Sequence, residues 1–544
     1  MTRRRGPGGR ASLRKDAPPG PPFRRVLVAN RGEIAVRIIR ACRELGVESV
    51  AVYSDADAGA AHVRLADVAV RLGPAPAAES YLRGDAIVHA ALATGAEAVH
   101  PGYGFLAERA TFARAVEDAG LVFIGPSSGA IAALGDKLAA RRLALAAGVP
   151  VVPGTLDPVA VERPDAVEPI LQEADGIGFP ILVKAAAGGG GRGMRRVARR
   201  EDLPAALAAG AAESLAAFGD GSVYLEREVR PARHVEVQLL GDDAGTIVAL
   251  GERDCSIQRR HQKLVEESPA PGLTEAERLE LHELAVRVAR AAGLRNAATA
   301  EFLVDEARKP WFLEVNARLQ VEHGVTELIT GLDLVAEQLR IAAGAPLSPA
   351  VLAAAARAGR PERHAIEVRL SAEDPARDFA PAPGRIGRWT MPAGPGVRVD
   401  SAVEAGERVP PDYDPLIAKV LVEAADRGAA IDRLRRALDE VAVGGIQTTL
   451  PFHRFVARHQ GFAAGDLSID WVAEQWHGEA DRQRVLRSAL VAAGLASRDG
   501  VVEALDPPAG APAAAPGPGR GAETDRPPGW LRGGRETAVD RWPR

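Results

Sequence analysis

Residues 300–323 read AEFLVDEARKPWFLEVNARLQVEH, and the middle of the chain is decided by how that stretch folds. Two strand-like runs, AEFLV and WFLEVN, flank a polar turn containing proline, which is the pattern of a β-hairpin. Pairing 304 with 311 sets Glu301 opposite Glu314. Successive side chains on a strand alternate faces, so Glu314, Asn316, Arg318, Gln320 and Glu322 share one face for as long as the backbone stays extended. That face is wholly polar. Two carboxylates and a carboxamide within reach of one another suit a hard, oxygen-seeking cation such as Mg2+, and Arg318 with Glu322 just beyond suits an anion held beside a base. A solvated hairpin edge is the plain alternative.

Upstream, the strand-like FPILVKAA leads into residues 188–195, GGGGRGMR. Glycines after a strand let the backbone approach a bulky anion and turn successive N–H groups toward phosphate oxygens. Lys184, Arg192 and Arg195 add charge of the matching sign. No G-x-x-x-x-G-K-[ST] occurs, which excludes a P-loop enzyme. Residues 252–267, ERDCSIQRRHQKLVEE, crowd Arg259, Arg260, His261 and Lys263 into a run without amphipathic spacing. It reads either as a solvated charge run or as a seat for a nucleotide and a second small anion. Cys255 reads as a structural thiol, since no Cys/His arrangement surrounds it.

Residues 23–125 alternate short apolar runs (RRVLVAN, ESVAVYS, AEAVH, LVFIG) with helical patterns, which predicts a parallel sheet covered on both faces, Rossmann-like in layout. Gly102-Tyr103-Gly104-Phe105-Leu106-Ala107 fits the nominal dinucleotide pattern. It comes too late in the unit, because that fingerprint belongs on the first βα turn. From about 136 to 344 the pattern is mixed. The last folded unit, about 364–476, holds the strand HAIEVRL, with Arg369 on its polar face, and a helix whose Ile431, Leu434, Leu438 and Val441 recur at helical spacing.

The 544 residues are 47% hydrophobic and 26% charged with net charge −4, which implies several packed units and gives no electrostatic ground for a nucleic-acid or anionic-membrane partner. No apolar run is long enough to span a bilayer. Cys42 and Cys255 are too few for a disulfide framework, so a reducing, cytoplasmic setting is expected. Residues 1–22 are basic and rich in Gly and Pro without the apolar core of a signal peptide, and within the tail 477–544 the stretch from about 506 to 544 is Pro/Ala/Gly-rich. Both ends are expected to be mostly disordered.

Taken together, ANRGEIA, HPGYGFLAE, GDK at 135–137, the glycine loop, ERDCSIQRRHQK, EFLVD, LEVNARLQVEH, HAIEVRLSAEDP and DYDP make residues 23–476 resemble biotin carboxylase, the ATP-grasp component of biotin-dependent carboxylases. The resemblance implies an α/β and α+β protein: a Rossmann-like domain over 23–136, an ATP-grasp domain over 137–345 with a mobile lid at about 155–228, and a β-rich C-terminal domain over 360–476. It implies an ATP- and bicarbonate-dependent carboxylation of biotin through carboxyphosphate, the first half-reaction of an acetyl-CoA or other acyl-CoA carboxylase.

Carried over by position, Lys137 and Lys184 resemble the ATP-binding lysines, and Gly190 and Gly191 the lid glycines. Glu226, Arg227, Glu228 and Val229 resemble the adenine hinge, and His234, Gln258 and His261 further nucleotide contacts. Glu301, Glu314 and Asn316 resemble ligands of Mg2+ or Mn2+, with two ions expected. Lys263, Arg318, Gln320 and Val321 would hold bicarbonate, Glu322 would act as base, and Arg369 would stabilise the biotin enolate. Arg227, Ala187, Gly324 and the run 107–109 depart from the family pattern, in places where Lys, Gly, Pro and Ser-Glu-Asn are usual. Met1, Met194 and Met391 are the only methionines and none precedes lysine, so the biotin carrier and the carboxyltransferase are expected on other polypeptides, with this chain as a homodimer. Another ATP-grasp ligase and a nucleotide-binding regulatory protein without turnover are the competing readings.

Overall fold

In the computed structural model, residues 21–159, 167–186 and 194–480 are described, together with 482, 483, 486, 487, 490 and 491. The first unit is a five-stranded parallel sheet whose strands run spatially Val68–Gly73, Glu48–Ser54, Arg25–Val28, Ala98–His100 and Val122–Phe123. Alternation along its central strand divides two cores. Val26 and Val28 pack with Ile34, Ile38 and Ile39 of the helix Gly32–Glu44, while Leu27 packs on the other side with Val50, Val52 and Phe112. The edge strand Val68–Gly73 was not foreseen. Only its last residue is buried, although Val68, Val70 and Leu72 lie partly covered against the core.

The second sheet has eight antiparallel strands in the order Pro310–Asn316, Asn296–Asp305, Ala232–Gly241, Ile247–Arg259, Gln262–Ser268, His364–Ser371, Leu416–Ala424 and Val397–Ser401. It therefore runs without a break from the hairpin of 300–316 into the C-terminal portion, joined where Val265 faces Val368 and Glu266 faces Glu367. Beyond the join, the helix Arg427–Glu440 buries Ile431, Leu434 and Leu438 against this sheet, at the spacing expected. Past residue 476 the folded chain continues, with Arg482 Nη1 donating to Asp374 at 3.1 Å.

A third, smaller sheet of Arg195–Val197, Ile181–Ala185 and Val223–Arg227 carries its own core of Ile181, Val183, Leu207, Val223 and Leu225 beneath the helices Val167–Ile177 and Leu203–Phe218. Ala187, Gly190, Gly191 and Arg192 lie outside the described residues.

The register of the hairpin corrects one expectation. Val304 pairs with Pro310 and Leu303 with Trp311, one residue away from the pairing of 304 with 311. A register shift between Glu301 and Phe302 restores Glu301 opposite Glu314. An irregularity of this kind absorbs one extra residue and turns the side chains beyond it.

Candidate active site

Glu314, Glu301, Glu236 and Arg253 form a row across four adjacent strands, because Glu301 is paired in register with Glu314 on one side and Glu236 on the other, and Glu236 with Arg253. Like charges directly opposite one another are unfavourable unless a cation intervenes. Lys263 supplies it. Its Nζ donates to Glu301 Oε1 at 2.8 Å, to Glu322 Oε1 at 2.7 Å and to Glu236. Burial works against the ammonium, yet those three carboxylates hold it well above the ordinary lysine range. Arg253, fully buried, braces the row from behind by donating to Glu236 at 2.6 Å and to Gln238 and Thr326 at 2.8 Å.

Past Asn316 the strand ends, but the polar residues stay together. Arg318 donates to Asn316 Oδ1 at 3.1 Å, to Gln320 Oε1 at 2.9 Å and to Glu108 Oε2 at 2.8 Å. Gln320 Nε2 and Asn316 Nδ2 both donate to Glu301 Oε1, at 3.1 and 2.9 Å. The Val321 carbonyl accepts from buried Lys419 Nζ at 2.7 Å. Glu322, with no exposed surface, is gripped by Lys263 and by Arg369 Nη2 at 2.8 Å. Burial disfavours its charge, but Lys263, Arg369 and Arg253 bring the carboxyl well below the usual range, so it is ionised at neutral pH.

Glu314 behaves differently. Burial and then the charge of Glu301 raise its carboxyl above the ordinary value, and no hydrogen-bond donor among the described residues reaches it. A half-buried acid with unused oxygens, facing a second carboxylate and the carboxamide oxygen of Asn316, fits a divalent, oxygen-liganded cation. Those three residues are the ones chosen from the sequence. His234, Glu236 and Glu301 also bring ligand atoms within 4.8 Å of one another.

The remaining nucleotide candidates lie between the large and small sheets. Glu226 accepts from Lys184 and from Arg141, so Lys184 is held by its neighbour's carboxylate. Arg227 N and Glu228 N donate to Pro153 O and Pro180 O, both at 2.8 Å, while the Arg227 guanidinium lies 5.4 Å from the Trp311 ring centroid. Val229 is buried against Val152, Ala232 and Trp311. Lys137 begins the helix Lys137–Ala146 behind the capping side chain of Asp136. His234 Nε2 lies 2.9 Å from Glu301 Oε2, and its Nδ1 lies 3.3 Å from Gln258 Nε2. Arg195 does not join this group, since it pairs with Glu213 at the surface at 3.1 Å.

Residues 252–267 are neither a solvated charge run nor a loop. They form most of two antiparallel strands, and the turn between them places Arg260 and His261 at φ +50 and +65. Two consecutive positive φ values belong to the tight hairpin turn usually made by Asn-Gly; His261 on this turn lies within electrostatic reach of Lys184, His234 and Lys137. Cys255 is buried, and burial followed by the charge of Glu236 pushes its thiol well up, in keeping with a structural role. In the first unit, a side chain at Gly102 would meet Asn30 Nδ2 at 2.9 Å. Asn30 donates there to the Pro101 and Tyr103 carbonyls at 2.7 and 2.8 Å. That packing explains the glycine without a dinucleotide. Gly324 is explained in the same way, because a side chain would meet Leu421 Cδ2 at 2.5 Å.

The sequence reading missed Glu236, Glu108, Arg141, Glu266 and Lys419. Glu236 was within reach, because His234, Glu236 and Gln238 alternate along one strand. The others owe their importance to partners on distant segments.

Family models match the chain in three consecutive blocks: "Biotin carboxylase, N-terminal domain" over residues 22–131, "Carbamoyl-phosphate synthase L chain, ATP binding domain" over 136–350, and "Biotin carboxylase C-terminal domain" over 367–474. The chain is 47% identical over 451 residues to the biotin carboxylase of Pseudomonas aeruginosa, covering 83% of this chain and 98% of that protein. It is 46% identical over 466 residues to a pyruvate carboxylase subunit of Methanothermobacter thermautotrophicus, covering 86% and 93%. A Campylobacter jejuni biotin carboxylase structure superposes with TM-score 0.79 at 41% identity, covering 83% of this chain and 99% of that one. The dimeric biotin carboxylase domain of Hydrogenobacter thermophilus 2-oxoglutarate carboxylase, in complex with MgADP, ADP and bicarbonate, superposes with TM-score 0.79 at 43% identity, covering 84% and 98%. With the acid row, the buried lysine and the arginine-held Glu322 set in this fold, the chain belongs to the biotin carboxylase family, whose members are ATP-dependent ligases.

Proposed function

We propose that this chain uses ATP and bicarbonate to carboxylate biotin, with the roles divided along the row from Glu314 to Arg369. The observation that carries the reading is Glu322 held between Lys263 and Arg369. Glu301, Glu314 and Asn316 would hold Mg2+ or Mn2+, with two ions expected, and such a cation neutralises the phosphate oxygens that bicarbonate must approach. Lys137, Lys184, Gly190 and Gly191 serve the ATP phosphates. Glu226 to Val229, His234, Gln258 and His261 serve the nucleoside side.

Bicarbonate sits against Lys263, Arg318, Gln320 and Val321, beside Glu322. It is a poor nucleophile, so removal of its proton by Glu322 matters. The cations that keep Glu322 ionised also make it a feeble base at rest. As bicarbonate engages Lys263 and Arg318, and the biotin oxygen engages Arg369, their hold on Glu322 loosens and its proton affinity recovers. A bicarbonate oxygen bonds to the γ-phosphorus of ATP as ADP leaves, and the carboxyphosphate formed splits into CO2 and phosphate beside biotin; phosphate takes the ureido proton, Arg369 with Arg318 steadies the enolate, and its nitrogen attacks CO2 to give N-carboxybiotin.

The test is ATP hydrolysis that depends on bicarbonate and is stimulated by free biotin, with N-carboxybiotin as product. Glu322→Gln should lower kcat by about 10²-fold or more, as expected for loss of a general base. Arg369→Ala should leave the Kd for ATP within about twofold while cutting biotin-dependent turnover by about 10²-fold, in the range for one lost charge-stabilising donor. A folded sample with no biotin stimulation would overturn the reading and favour another ATP-grasp ligase, whereas Arg369→Ala with full biotin turnover would overturn the role given to Arg369.

The carboxyl acceptor is set by a transferase. One relative is named for pyruvate carboxylase, and another, at 48% identity, is the acyl-coenzyme A carboxylase alpha3 subunit of Mycobacterium leprae. Our proposal is acetyl-CoA or a related acyl-CoA in the cytoplasm, as in fatty acid biosynthesis, with the biotin carrier and carboxyltransferase on separate polypeptides and this chain as a homodimer. Mass spectrometry of the biotinylated protein that co-purifies identifies carrier and transferase together. No helix among the described residues is long and apolar enough to cross a membrane.

A further inference from the structure

Beside Arg369 stand two acids that the reaction above leaves unused. Glu266 and Glu367 face each other directly on the antiparallel strands Gln262–Ser268 and His364–Ser371, and neither has exposed surface. Glu266 Oε1 accepts from Arg369 Nε at 2.6 Å, whereas Glu266 Oε2 and both oxygens of Glu367 meet no donor. Two ionised carboxylates opposed across a dry sheet repel each other and lack the hydrogen bonds that make a buried charge tolerable. A proton retained by the pair relieves both problems.

Resting on the biotin carboxylase reading of the site, we propose that Glu266 and Glu367 retain a proton between them in the resting enzyme and are positioning residues for Arg369, Glu266 fixing its Nε edge so that Nη1 stays directed at the biotin oxygen. The geometry of Arg369 agrees. Nε and Nη2 are committed to Glu266 and Glu322, and Nη1 makes no hydrogen bond among the described residues. Its backbone is also anchored, the carbonyl accepting from Thr449 Oγ1 at 2.9 Å and lying 2.6 Å from His453 Nε2.

The charges around the pair come from four elements. Glu266 faces Arg369, Glu322 and Lys263, with the Cys255 thiol nearby. Glu367 faces Lys419, Glu266, Arg369 and Glu322. From the helix His323–Thr330, packed on the same strand, come His323, which burial and Lys419 keep neutral, and Glu327, already paired with Arg37 and Arg398. Lys419 is spent on Val321 O and Glu33. Burial, opposed by Arg369, raises Glu266 to about 7, and burial raises Glu367 well above the usual range. Once pH exceeds both, two negative charges pull Arg369 back from the substrate side.

The experiment uses the full-length protein with ATP, bicarbonate and free biotin. The wild type should show the infrared C=O stretch of a buried protonated carboxyl near neutral pH, and its KM for biotin should rise toward alkaline pH while the KM for ATP stays flat. Glu367→Gln, locked in the neutral form, should lose that band and that alkaline rise. Glu266→Gln should raise the KM for biotin about tenfold at neutral pH with the KM for ATP within about twofold, a split that general loosening of the fold would not give. An unchanged band in Glu367→Gln, or the same alkaline rise in KM, would overturn the proposal. A wild type without biotin-dependent turnover would instead overturn the function proposed above, and the infrared band would still judge the proton.

Discussion

Lys263 shows how much of the site rests on one side chain. Among the described residues it is the one cation that bonds to all three of Glu236, Glu301 and Glu322. Replacing it by methionine leaves buried carboxylates facing one another, and removing one member of a buried ionic set costs about 3 to 5 kcal/mol. Lys263→Met should therefore lower the denaturant midpoint as well as abolish bicarbonate-dependent turnover, whereas Arg318→Met, at the more open end of the cluster, should affect turnover with little change in midpoint. Equal midpoints for wild type and Lys263→Met would refute this account. Much of the cluster was legible residue by residue, because alternation along 300–322 is a local property. Glu108, Glu266 and Lys419 were not, since each acquires meaning only when a segment far away in sequence delivers Arg318, Arg369 or the Val321 carbonyl to it.

Among elements, most strands announced by alternation or by apolar runs were found, whereas the edge strand Val68–Gly73 and the paired strands over 252–267 were not. Residues 252–267 looked like a charge run because their buried positions are filled by Glu252, Arg253, Asp254, Glu266 and Glu267, each with an oppositely charged partner on another segment. Pattern reading equates burial with apolar side chains, and here that equation fails. The helix Glu275–Ala291, by contrast, carries its start signal in sequence: Thr274 and Glu277 cap it reciprocally. Thr274→Ala should cost about 1 kcal/mol in thermal or denaturant unfolding, with ATP binding unchanged. Glu277 is held at about 2 by Arg308, against some burial, and by Thr274. A lowered carboxyl stabilises the fold above its unfolded value of about 4.5 and loses that contribution as pH falls toward 2. The stability advantage of wild type over Glu277→Gln should shrink across that window, and an advantage constant with pH would count against it.

At the scale of the molecule, the sequence suggested separate ATP-grasp and C-terminal portions, and the composition between them gave no hint that one sheet crosses the border. Strand partners distant in sequence leave no trace in either strand alone. A fragment ending at residue 350 would uncover the edge of Gln262–Ser268, whose partner is His364–Ser371. An unpaired buried edge invites self-association, so that fragment should sediment as aggregates where the full chain does not; a monodisperse fragment would disprove the prediction. The same join has an evolutionary reading. Recombination that exchanged either portion at this border would have to preserve the four residue pairs from Val265–Val368 to Ser268–Ala365, so substitutions on one side of the join are constrained by the strand on the other.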